Sequence, residues 1–499
     1  MKKLETIANF GAIDAESDGI LMQCFEDHPA LSQAMNGTRS IIIGRKGSGK
    51  SAIFKKLLAS ETCNTIVLGQ TFQDYPWAYH NRQGSDGVIE EQRFVQSWKY
   101  LILLIICKML LRYDGACRSD AEAAEHLSLL RRFVADSFGR DDVDVTHIFL
   151  PQNHINLRTL LQAGVGLVQM QLGLATTPID QLPTFYSAIN EALMEHVMGV
   201  LSPENQYIVC FDQLDIGFEP SNTTYMAQMV GLLRAASDIN VEAHLRGVRL
   251  NVVVFLRDDI FDALHFNDKN KMLTNSVQRM EWDSDSLKRL IEKRLTQVCS
   301  EDGSPVRWDD VFDESTKMTG HQRKYDHMID RTFLRPRDII EYSNLVLESY
   351  GVRTVDAGMT RPSKFTNQDI TDAEPAFSEH LLREIDEELR PHIPDCYERV
   401  VETLQGVGRD SFSFEEFEHQ WTTRLSPNGT HRQSSDVLKL LYKYSVIGYL
   451  RVGGAQPGSG YVLHYRMPNL AYDQTATTFQ VHKGLIKALG LTRSYGSRH

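Results

Sequence analysis

Cysteine is scarce and unpatterned in this chain. The seven (Cys24, Cys63, Cys107, Cys117, Cys210, Cys299 and Cys396) are scattered and odd in number, with no CxxC pair and no Cys/His cluster. That speaks against a disulfide framework and a structural zinc, and fits a reducing cytoplasm. Positive charge is not in excess: 53 Lys and Arg face 65 Asp and Glu, a net charge of -12, so any nucleic-acid contact must be local. The start, Met1 to Glu5, lacks the apolar region of a signal peptide. The longest apolar run, Tyr100 to Cys107, is stopped by Lys108, well short of the roughly 20 residues a bilayer span needs. It reads as a buried core helix, and no membrane is expected. A metal-nuclease or hydrolase constellation is also missing.

What is there is concentrated. Ile41, Ile42 and Ile43 form an uninterrupted β-branched run, as in a strand buried on both faces. Gly44-Arg45-Lys46-Gly47-Ser48-Gly49-Lys50-Ser51 then fits G-x-x-x-x-G-K-[ST] at every fixed position. Glycines let a backbone turn tightly and offer N–H groups to phosphate oxygens. Ala52 to Leu58 reads as the start of a helix whose N-terminus favours an anion. Gly44 to Ala52 is therefore the expected phosphate cradle. Lys50 would reach the β- and γ-phosphates, and Ser51 would ligate Mg²⁺. ATP with Mg²⁺ is the expected ligand.

Two later strands complete the pattern. Tyr207 to Phe211 is apolar and ends in Asp212, a carboxylate placed to hold the magnesium shell. Asn251 to Leu256 is apolar and ends in Arg257, which either senses the γ-phosphate or pairs with Asp258, Asp259 or Asp262. Thr65 to Leu68 is a further candidate strand. Asn9 to Leu31, Glu90 to Tyr113 and Thr223 to Ile239 read as helical. Between Asp114 and Glu204 the pattern is obscure, with strand-like alternation from Val165 to Leu174 and a weak Gly164-Val165-Gly166. Downstream, Asp283 or Ser284 caps a helix that places Leu287, Leu290, Ile291 and Leu295 on one face. Arg335-Pro336-Arg337-Asp338 opens another, with Pro336 suited to its first turn. Two arginines there oppose the helix dipole, so either Asp338 or a nucleotide phosphate must compensate them.

Gly351 to Pro375 is polar and reads as a linker with one short helix after Thr366. Beyond it, a helix from Tyr397 to Leu404 is followed by a second opened by Ser413 with Glu416, and a third opened by Ser434 or Ser435. Strands at Gly448–Val452 and Tyr461–Tyr465 flank GGAQPGSG as a hairpin wing. Three helices and a hairpin make a winged-helix plan. From Asp395 onward 12 Lys or Arg stand against 9 Asp or Glu, a mild basicity that permits DNA contact, with Lys439 and Lys443 on the third helix.

The order of parts resembles the AAA+/STAND branch of P-loop ATPases, near origin-recognition-type initiators. More narrowly, FGAIDAESDG, GRKGSGKSAIF, CFDQLD, VVFLRDDIF and FLRPRDII together resemble a bacterial group of P-loop ATPases often implicated in phage defence. The resemblance covers Asn9 to Ser349 and the C-terminal winged helix, and leaves out Asp114 to Glu204. It implies an α/β parallel-sheet ATPase core over 1–265 with an insertion at about 114–204, a helical lid over 266–350, a linker over 351–375 and a winged helix over 376–499. It makes Asp212 the Walker B aspartate, Arg257 a sensor and Arg335 or Arg337 the lid arginine. One departure stands out. The branch usually has glutamate after the Walker B aspartate to activate water, and this chain has Gln213. Either Asp215 substitutes or hydrolysis is slow, Asp215 being otherwise a cap or turn residue. The expected function is a cytoplasmic regulatory ATPase that self-assembles or recruits an effector in defence. The alternatives are an initiator-like DNA-binding ATPase and an ATP-binding scaffold. A kinase is disfavoured, since Gln70 to Asp86 offers one arginine where a kinase lid needs several.

Overall fold

In a computed structural model of the chain, residues 2–139, 144, 148–149, 154–155, 177–353, 361–424, 432–451 and 460–494 are described. The expected alternation from Val165 to Leu174, the Gly164-Val165-Gly166 turn and most of GGAQPGSG lie outside them. The chain falls into two units: a sheet unit of Asp27–Arg45 and Lys50–Glu281, and a helical unit of Met1–Glu26, Lys46–Gly49 and Trp282–His499. Each has its own hydrophobic core.

The sheet unit begins with α1 (Pro29–Asn36) and the wholly buried β1 (Ile41–Gly44). Then come α2 (Lys50–Leu58), β2 (Thr65–Thr71), α3 (Val95–Arg112), α4 (Ala121–Phe138) and α5 (Tyr186–Val200). β3 (Gln206–Asp212), α6 (Thr223–Leu245), β4 (Arg249–Arg257) and β5 (Val277–Arg279) complete it. The sheet runs β2-β3-β4-β1-β5, every pair parallel. The central parallel strands are covered on both faces, which is why Ile41–Ile43, Tyr207–Phe211 and Val252–Leu256 are apolar runs, whereas the edge strands β2 and β5 carry polar residues. The stretch Glu90–Arg112 is apolar and long enough by composition to cross a bilayer, and most of it is buried within the core. α3 starts later than expected, because Glu90–Gln92 form a separate 3₁₀ turn. It packs on α5 and α6. Gly231 of α6 permits a close approach there: a Cβ on it would lie 2.9 Å from the Phe94 carbonyl carbon.

The N-terminal segment departs from expectation twice. Asn9 to Leu31 is mostly turns, with helix only from Pro29. Asp14 accepts the N–H of Ser17, and Asp18 accepts those of Ala12 and Ile20. Such local side-chain acceptors divert the backbone from helix. Residues up to Glu26 also belong to the helical unit rather than to the core expected over 1–265.

That unit continues with α7 (Ser284–Cys299), opened by a capping box at Asp283, and α8 (Pro336–Val352), with Pro336 in its first turn. α9 (Asn367–Leu389) runs through the end of the expected linker and past Pro375. An interior proline costs roughly 3 kcal/mol. Burial of Ile370, Ala373, Phe377, Leu381, Ile385 and Leu389 along one face outweighs it. The winged-helix order follows: α10 (Tyr397–Val407), β6 (Ser411–Ser413), α11 (Phe414–Thr423), α12 (Ser434–Lys443), β7 (Ile447–Arg451), β8 (Gly460–Val462) and β9 (Thr478–Val481). Its antiparallel sheet, β8-β7-β9-β6, has two strands more than the hairpin read from sequence.

Candidate nucleotide site

The strand order fixes where a ligand can sit. β1 lies between β4 and β5, so the chain leaves it toward one edge and returns on the other side. Crevices of this kind form at the carboxyl ends of strands where the order reverses. The glycine turn follows β1 at that end. Gly47 and Gly49 have φ of 77° and 95°, a region side chains disfavour.

In the sheet unit, Lys50 and Ser51 open α2. Lys50 Nζ donates to the carbonyls of Gly44 at 2.8 Å and Arg45 at 3.1 Å. Burial pushes the Lys50 ammonium pKa down, opposed by Asp215, Asp258 and Asp212. Asp212, at the tip of β3, is buried and accepts a hydrogen bond from the Ser51 side chain. Burial raises its carboxyl pKa, while Ser51, the Gln213 N–H and Lys50 act the other way. Ser51 and Asp212, named separately from sequence, thus meet.

Arg257 ends β4, the strand between β1 and β3. It donates to Asp259 through Nε at 3.0 Å and Nη2 at 2.7 Å, and its Nη1 lies 3.6 Å from Asp215 Oδ2. Of its two sequence readings, the ion pair with Asp259 is formed. Asp215 is partly exposed and sits in a turn, where its carbonyl accepts the Phe218 N–H at 3.2 Å. α6 is capped by Asn222 instead. Gln213 has a φ of 60°, a strained value for a residue with a side chain.

In the helical unit, Arg335 is buried and donates to Asp338 at 3.0 Å, to Glu388 at 2.9 Å and to the Lys46 carbonyl at 3.0 Å. Burial works against its charge, but Asp338 and Glu388 push its pKa above the ordinary value. Arg337 donates to Glu384 at 2.7 Å, and its backbone N–H reaches the Gly47 carbonyl at 3.4 Å. Lys46 pairs with Glu387 and lies 3.6 Å from Glu384. Trp282 Nε1 donates to the Ser48 carbonyl at 2.8 Å. Asp338 is thus one of two carboxylates that compensate Arg335. Trp282, Glu384, Glu387 and Glu388 were not anticipated. The three glutamates share one stripe of α9 by their spacing. Arginines across the unit are the signal that could have found them.

The donor set fits a nucleotide phosphate with Mg²⁺. Ser48 Oγ is buried without a hydrogen-bond partner among the described residues, in a turn that already holds two left-handed glycines. A parallel sheet with this turn after β1 and an acid at the tip of β3 defines an α/β P-loop NTPase core. Residues 285–386 match the family model described as the FunZ-associated C-terminal helical domain. Across 328 residues the chain is 20% identical to the putative transposon gamma-delta 80.3 kDa protein of Escherichia coli strain K12, a match over 61% of this chain. It spans only 41% of that relative's length. Among solved structures, the Aeropyrum pernix ORC1 protein in complex with DNA is 12% identical at a TM-score of 0.36, over 94% of this chain and 92% of that one. Drosophila ORC bound to DNA is 12% identical at 0.30, over 97% and 88%. TM-scores this low do not identify a shared fold, so the assignment rests on the sheet's own order.

Proposed function

We propose that the chain is a regulatory ATPase whose ATP-bound state assembles with itself or recruits an effector, in bacterial defence as the motif resemblance implies. The observation that carries nucleotide binding is the hydrogen bond between Ser51 and Asp212 beside Lys50. In this reading those two residues would hold Mg²⁺, which would supply neutralisation of phosphate charge. Lys50 releases the carbonyls of Gly44 and Arg45 and turns to the phosphates. Gly44 to Ala52 cradle them.

Gln213 cannot take a proton from water. Asp215 is the alternative base, and Arg257, whose Nη1 lies 3.6 Å from its Oδ2, orients it. A site with an amide in place of the usual glutamate turns over slowly, which suits a switch whose ATP state must persist. The test is steady-state ATP hydrolysis by the parent chain and Asp215→Asn. If Asp215 is the base, the variant loses about 10²-fold or more. An unchanged rate removes Asp215 from the mechanism and leaves the ATP-binding scaffold as the better account.

A second reading, an initiator-like ATPase on DNA, is supported by the mildly basic winged helix with Lys439 exposed on α12. Asp436 on the same exposed side works against it. Retention on duplex DNA that falls steeply with salt supports this reading. No retention at low salt removes it.

A further inference from the structure

Three consecutive carbonyls of the glycine turn each accept a hydrogen bond from a different residue of the helical unit. Lys46 O takes Arg335 Nη1 at 3.0 Å, Gly47 O takes the Arg337 N–H at 3.4 Å, and Ser48 O takes Trp282 Nε1 at 2.8 Å. A peptide unit is planar and, among the described residues, trans. The carbonyl of one residue and the N–H of the next therefore point in opposite directions. Pinning the carbonyls of Lys46, Gly47 and Ser48 on one side aims the N–H groups of Gly47, Ser48 and Gly49 to the other. Among the described residues, none of those three N–H groups donates to a protein acceptor.

We propose that Trp282, Arg335 and the Arg337 backbone are positioning groups that hold the glycine turn in its phosphate-receiving form, so that Arg335 acts on the turn rather than on the phosphate. This deepens the nucleotide-binding reading and rests on it. Carbonyls repel phosphate oxygens, and a single peptide flip would turn one of them into the cradle. A fixed arrangement of donors spares the ordering cost that a mobile loop pays on binding. Arg335 is itself fixed by Asp338 and Glu388, so the clamp's shape is set by α8 and α9 and not by the ligand.

The decisive variant is Trp282→Phe, which deletes the indole N–H and keeps an aromatic ring. Arg335→Lys is its companion, retaining the charge against Asp338 and Glu388 while losing the fork that also reaches Lys46 O. Calorimetric titration of the full chain with Mg·ADP and with magnesium pyrophosphate is read beside the melting temperature without ligand. Loss of one neutral hydrogen bond is about 1 kcal/mol, so each variant raises both Kd values about fivefold. The ligand-free melting temperature stays within a few degrees of the parent. The pyrophosphate arm locates the loss at the phosphates, which a merely structural role would not single out. Parental Kd values in both variants overturn the clamp while leaving nucleotide binding intact. An equal fall in melting temperature with no change in either Kd also overturns it. If the parent chain binds neither ligand, the nucleotide reading fails first, and the clamp with it.

Discussion

Lys50 spends its ammonium on two carbonyls of its own turn, Gly44 and Arg45. Both bonds are replaceable, because a phosphate oxygen is a stronger acceptor for a charged donor than a peptide carbonyl. Lys50→Ala should therefore weaken Mg·ATP binding by roughly ten- to a hundredfold, the ~1.5–3 kcal/mol of a charged hydrogen bond. Equilibrium titration checks it, and binding equal to the parent would move the ligand elsewhere. His327 gives a second residue-scale prediction. It is buried in the helical unit without a partner for either ring nitrogen among the described residues. Burial, with Arg331 nearby, drops its pKa from 6.5 to about 3. Between those values the unfolded chain binds a proton that the folded one refuses, so stability falls as pH drops from 6.5 toward 3. In His327→Leu, urea midpoints at pH 7 and pH 5 should differ less than in the parent. The glycine turn was plain in the sequence because every one of its residues is local. Arg335's partner Glu388 lies 53 residues further on, and Trp282 is 234 residues from Ser48. No spacing rule links them.

At the scale of elements, strands announced themselves wherever both faces are buried. β1 and the interiors of β3 and β4 are largely apolar and lie where expected. The failures came where side chains compete with the backbone, as at Asp14 and Asp18, or where one apolar face overrules a breaker, as in α9. The α6–α3 contact offers a test of the same competition. Gly→Ala inside an exposed helix gains about 1 kcal/mol from propensity. At Gly231 the new methyl would stand 2.9 Å from the backbone and Cβ of Phe94. Packing should win: Gly231→Ala lowers stability by about 1–3 kcal/mol. A raised urea midpoint would show that α6 can shift freely away from Phe94.

For the whole molecule, the boundary between units was the least legible feature. Composition hardly changes where Glu26 gives way to Asp27, or where Glu281 gives way to Trp282. Only contacts distant in sequence assign the first 26 residues to the later half. The switch reading also belongs to this scale. Light scattering of the full chain should report a larger mass with Mg·ATP than with Mg·ADP or no nucleotide. Equal masses in all three would leave recruitment of a different protein as the only output.

The sheet order carries a consequence for synthesis. Among the described strands β1 comes first in chain order and is complete at Gly44, yet its neighbours are Val254–Arg257 and Val277–Arg279. Translation must go on to Arg257 before that orphan finds its first flank, and on to Arg337 before the turn behind it gains its last brace. Nascent chains stalled in between expose three isoleucines and a greasy eighteen-residue helix to whatever chaperone arrives first.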